Sequence, residues 1–67
     1  MTAPKRIRGE ALVVGDTIRV MSTYRLVERF ETHPGLPGEP ARVAVFTDGS
    51  KMTVYNSDIL DSKELRR

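Results

Sequence analysis

The chain reads as a small antiparallel all-β protein of five or six short strands. Three observations carry that expectation. Short β-prone runs recur along it: EALVV at 10–14, TIRVM at 17–21, YRLVERFE at 24–31, ARVAVFT at 41–47 and KMTVYN at 51–56. The dipeptides Gly15-Asp16 and Asp48-Gly49 stand between runs as turn signals. At 67 residues without a cysteine, the chain has one small core and no disulfide or cysteine-ligated zinc to staple it.

Taken in order, residues 1–9 (MTAPKRIRG) show no period and carry Pro4, Gly9, Lys5, Arg6 and Arg8, which predicts a flexible basic arm ahead of a domain at 10–61. In TIRVM, Ile18 and Val20 alternate with Thr17 and Arg19, the pattern of a half-buried strand. In YRLVERFE, Tyr24, Leu26 and Phe30 share one side and are the expected core contribution; Arg25, Val27, Arg29 and Glu31 share the other. A helix also fits Leu26, Val27 and Phe30, but the flanking β-rich segments favour a strand. The stretch THPGLPGEP, residues 32–40, holds three prolines and two glycines and is expected to be a surface loop, either a binding loop or, the favoured reading, a mobile one.

The clearest hairpin is ARVAVFT with KMTVYN, joined through Asp48-Gly49, a pair favoured by a two-residue type I′ turn. Pairing Thr47 with Ser50 sets Val45 against Met52 and Val43 against Val54 on an apolar inner side. Phe46 with Lys51, Ala44 with Thr53 and Arg42 with Tyr55 then face outward. A three-residue turn with a bulge would shift that pairing. Asn56-Ser57-Asp58 reads as a turn, Ile59-Leu60 as a last short strand and residues 62–67 as a short C-terminal tail, where Asp61 or Ser62 could cap one helical turn.

The order of a strand opening, a long loop, a tight hairpin and a turn into a final strand resembles the SH3-like barrel superfamily over about residues 10–61. Leu12-Val13-Val14-Gly15-Asp16-Thr17-Ile18-Arg19-Val20 looks like its opening, and Tyr55-Asn56-Ser57-Asp58-Ile59 looks like its single-turn crossover. Gly15-Asp16-Thr17-Ile18-Arg19-Val20 also looks like the start of a KOW-type module. The likeness stops at Met21-Ser22-Thr23-Tyr24, where such modules continue with a glycine turn, so RNA or polymerase binding is not carried over.

No motif of catalysis emerges. His33 is the single histidine, too few ligands for a metal site, and Asp16, Asp48 and Asp58 all sit where aspartate favours turns. The expectation is therefore a non-enzyme with no cofactor, no metal and no small-molecule substrate. No apolar run is long enough to span a bilayer and no signal-peptide core follows the start, so the expected location is cytoplasmic, with no membrane partner. The net charge is only +2, but the basic residues are grouped. The predicted site is a basic and aromatic outer sheet face. Arg25, Arg29, Arg42 and Lys51 would meet phosphates there, Phe46 and Tyr55 would stack bases, and Lys5, Arg6 and Arg8 of the arm would add electrostatic reach. The function that follows is a non-catalytic nucleic-acid-binding module; the alternative is a protein-interaction or assembly module that buries the same face against a partner or a second copy.

Overall fold

The computed structural model describes residues 5–63, and in it six antiparallel strands form one sheet. They are β1 (Lys5–Arg8), β2 (Thr17–Val20), β3 (Thr23–Leu36), β4 (Glu39–Phe46), β5 (Lys51–Tyr55) and β6 (Ile59–Ser62), with one turn of 3₁₀ helix at Gly9–Ala11. Their order across the sheet is β1-β6-β2-β3-β4-β5. The edge strands β1 and β5 do not pair with each other, so the sheet is not closed. The all-β expectation stands in this coarser form.

Strand β3 serves both halves of the sheet. Its residues Thr23 to Leu26 pair with β2, and Val27 onward pairs with β4. Around it, Ile18 of β2, Val27 of β3, Ala44 and Phe46 of β4, Val54 of β5 and Leu60 of β6 meet Leu12 in one buried cluster. Ile7, Val20, Phe30 and Met52 pack against its border. Burying each larger side chain contributes about 1.5–3 kcal/mol, which is how a chain of this size holds together.

Turns built on aspartate hold this arrangement. The Val13 N–H donates to Asp16 Oδ2 at 3.0 Å while the Asp16 N–H donates to the Val13 carbonyl at 3.1 Å. The Tyr55 N–H and Asp58 make the same reciprocal pair at 2.9 and 3.0 Å. Each carboxylate satisfies a backbone donor that the turn would otherwise strand. Gly15 and Val27 then exchange bonds with the first turn, Gly15 N–H to the Val27 carbonyl and Val27 N–H to the Asp16 carbonyl, which ties it to β3.

Several expectations need correction. Residues 5–8, expected in a flexible arm, form β1 against β6, from Lys5 opposite Ser62 to Arg8 opposite Ile59. Residues 1–4 of that arm and 64–67 of the tail lie outside the described residues. EALVV is not a strand: Gly9–Ala11 coils and β2 begins only at Thr17. The proline-rich stretch 32–40 is a continuation of the β3–β4 hairpin, reversed at Pro37-Gly38 between Leu36 and Glu39. Proline presets the first turn position and Gly38, at φ 75°, supplies the second, as a type II turn requires.

The Asp48-Gly49 hairpin slips by one residue from the expected register. Ala44 pairs with Met52 and Arg42 with Val54, where Val45 with Met52 and Val43 with Val54 were expected. A type I′ turn needs positive φ at both central residues, and Asp48 does not have it; only Gly49 does, at 90°. The Gly49 N–H returns to the Phe46 carbonyl and the Phe46 N–H reaches the Ser50 carbonyl, giving a three-residue loop with a glycine bulge. One extra loop residue turns every side chain over. Phe46 consequently lies in the core at 1% exposure, and Val43 and Val45 stand on the outer side.

A second irregularity does the same to β3. Val27 opposes Phe46 and Arg29 opposes Val45, so β3 carries one more residue than β4 between these pairs, a bulge at Glu28. Val27 before it and Phe30 after it both reach the core side, while Tyr24 and Leu26, expected inside, are exposed.

Candidate functional site

The outer face of β3–β4–β5, where the stacking platform was expected, is closed by its own side chains. Ala41, Val43 and Val45 form its central row, with Arg29, Glu31 and His33 on one flank and Lys51, Thr53 and Tyr55 on the other. Glu31 accepts from Arg29 at 2.8 Å and from Lys51 at 3.2 Å, the latter across β4. His33 meets Tyr55 edge-on with ring centroids 6.2 Å apart. These side chains arch over Ala41 and Val45, which are buried although they point away from the core. The His33 Nδ1 accepts the Gly35 N–H at 2.8 Å.

Two more expected site residues are occupied inside the fold. The Arg42 Nη2 donates to the Gly9 and Leu12 carbonyls at 2.8 and 2.9 Å, and its guanidinium lies 4.0 Å from the centre of the Phe30 ring. It anchors the segment between β1 and β2 onto the sheet. Arg25 folds over the β4–β5 turn, donating to Asp48 and, at 3.0 Å, to Ser50 Oγ. The same turn holds the Asp48 carboxyl below its ordinary pKa, first through the Ser50 hydroxyl and then through the Ser50 N–H, with desolvation opposing them and the Arg25 charge adding a smaller lowering.

The other half of the sheet presents a different surface. With Ile18, Leu60 and Ile7 directed inward, alternation places Arg6 and Arg8 of β1, Asp61 and Ile59 of β6, Thr17 and Arg19 of β2, and Tyr24 and Leu26 of β3 on the outer side. One row crosses four strands. Arg6 opposes Asp61 and Arg19 opposes Tyr24, and the Ile18–Ser62 pair carries Asp61 beside Arg19. Lys63, one step beyond β6, extends the same side next to Thr17, to whose carbonyl its N–H donates at 2.8 Å. The face therefore carries four cations, Arg6, Arg8, Arg19 and Lys63, against Asp61, with Glu10 as a second acid beside Arg8. Comparison with protein-family models, curated proteins and solved structures returned no match.

The cations of this face are only loosely held. Arg6 approaches Asp61 at 3.6 Å and Arg8 approaches Glu10 at 3.7 Å, both in solvent, where such pairs are worth about 0–1 kcal/mol. Among the described residues, the Arg19 and Lys63 side chains have no hydrogen-bond or ion-pair partner. Tyr24, Leu26 and Ile59 are 38%, 42% and 61% exposed. Of the nine residues expected at the site, Arg6 and Arg8 lie on this face. Lys5 is exposed at the start of β1, Arg29, Lys51 and Tyr55 are engaged on the other face, and Arg25, Arg42 and Phe46 turn toward the turn or the interior. Arg19, Tyr24 and Lys63 were not anticipated there. The alternation of Thr17 and Arg19 with Ile18 and Val20 pointed Arg19 outward, but it took the bulge at Glu28 to expose Tyr24. Among the described residues, no helix is long and apolar enough to cross a membrane.

Proposed function

We propose that the protein is a non-catalytic nucleic-acid-binding module, and that its contact surface is the outer side of β1, β6, β2 and β3. The observation that carries this reading is the imbalance of four exposed cations to two acids, Asp61 and Glu10, at a single sheet face. A polyanion gains from releasing counterions against such a face, whereas a neutral partner does not. We read the scaffold as a partly open SH3-like barrel. The long shared strand β3 supports this, as does the Gly9–Ala11 turn lying close to the end of β5, where the Glu10 N–H reaches the Asn56 carbonyl at 3.2 Å. The assembly reading draws on the exposed Leu26, Ile59 and Met21.

The test is the fluorescence anisotropy of labelled oligonucleotides over a salt series, run beside the solution mass. Engagement of the four cations predicts a log–log salt slope of roughly −3 for a single strand. Arg6→Gln, Arg8→Gln and Arg19→Gln combined should abolish most of the binding, while Arg29→Gln with Lys51→Gln on the other face should leave it in place. Absence of binding at low salt overturns the proposal, and a dimeric mass in that case supports assembly.

A further inference from the structure

We infer that Tyr24 is a base-stacking residue and that the module takes single-stranded nucleic acid in preference to duplex, an inference resting on the nucleic-acid reading above. Four aromatic residues are present, and three have their faces in use. Phe46 is in the core, Phe30 lies under the Arg42 guanidinium, and Tyr55 stands against His33. Among the described residues, Tyr24 makes no ring contact and its hydroxyl has no partner. Its cross-strand neighbour is Arg19, whose guanidinium also has no partner among the described residues. An exposed ring with a free cation one strand away combines the two things an unpaired nucleotide offers contacts for, a π-face and a phosphate.

The surroundings set the preference for single strands. Leu26 lies two residues along the same face, about 7 Å away, and extends the apolar floor beside the ring. The row from Arg6 to Tyr24 crosses four strands, a width of roughly 14 Å at strand spacing. A face four strands wide is broader than the helix or two-stranded ribbon that a duplex major groove admits, and stacked duplex bases present only their edges there. Unstacked bases reach such a ring directly. Charge complementarity selects the occupant: four cations against two acids around an exposed aromatic suit a nucleic-acid strand better than an apolar partner.

The experiment compares Tyr24→Ala and Tyr24→Phe with the unmodified protein, on single-stranded DNA, single-stranded RNA and a DNA duplex of matched length. Tyr24→Ala should weaken single-strand binding by roughly 5- to 150-fold, the effect of losing one stacked base, with the salt slope unchanged because no charge is removed. Tyr24→Phe should retain binding, and Tyr55→Ala should have little effect. Tyr24 is exposed, so the alanine variant should keep its fold, checked by circular dichroism, and the Phe variant reports on stacking even if it does not. If the unmodified protein binds and Tyr24→Ala binds equally well, or if duplex is preferred, the stacking inference is overturned and the charge-based reading survives. If the unmodified protein binds none of the three, both fall.

Discussion

Phe46 and Tyr55 differ in a way that a denaturation experiment reads directly. Phe46 is the largest fully buried side chain of a cluster shared by five strands, and cutting such a ring to alanine typically costs about 3–5 kcal/mol. A chain of this length has a total stability of only about 3–10 kcal/mol. Phe46→Ala should therefore leave the protein largely unfolded or with its urea midpoint sharply lowered. Tyr55→Ala, which removes an edge-on contact on the outer face, should cost about 1 kcal/mol. Equal losses would contradict the observed register. Asp48 gives a second readout at this scale. Because its pKa in the folded protein lies below the ordinary aspartate value of 3.8, the stabilisation it brings is fully present above pH 3.8 and is lost as pH falls through the lower, folded value. An NMR titration should place its midpoint below 3.8. Ser50→Ala should raise that midpoint more than Arg25→Ala, since the hydroxyl is the larger cause; the reverse order would refute the assignment.

Among the elements, the turns and bulges decide more than the strands do. Gly9 is packed so tightly that a Cβ there would sit 2.0 Å from the Tyr55 carbonyl oxygen and 2.8 Å from Val54 Cγ1. Gly9→Ala should push the 3₁₀ turn off β5 and destabilise by about 1–3 kcal/mol. Met21 shows the opposite case. It occupies the two-residue loop between β2 and β3 at φ 60°, a left-handed conformation that disfavours side chains. Met21→Gly should relieve that strain and raise stability by about 0.5–1 kcal/mol after the added flexibility of glycine in the unfolded chain. Thermal melts of the two variants should shift in opposite directions. Strand existence was legible for β2 through β6 because period-two alternation and turn residues mark it locally. Which side faced inward was not legible on β4 and β5. That depended on whether Asp48 adopts positive φ, and while Ser50 holds its side chain locally, the other partner, Arg25, lies 23 residues away. On β3 a single extra residue at Glu28 reversed the parity midway.

At the scale of the whole molecule, the same parity error displaced the candidate site from one half of the sheet to the other. The expectation of a basic outer face with an aromatic residue is retained as a proposal, but on β1, β6, β2 and β3, where Arg6 and Arg8 belong to a strand. Charge grouping along the chain identified those two arginines. The pairing of β6 between β1 and β2, which brings Arg19 and Lys63 to them, joins residues more than forty positions apart and leaves no local trace. This pairing also determines how the fold responds to force. Lys5 at the start of β1 lies directly opposite Ser62 at the end of β6. Antiparallel bonds run perpendicular to their strands, so tension applied through those two residues opens the ladder rung by rung instead of shearing it. Tethered by both ends, the molecule yields first at its β1 margin, under a weak pull, while the buried cluster behind it is still intact.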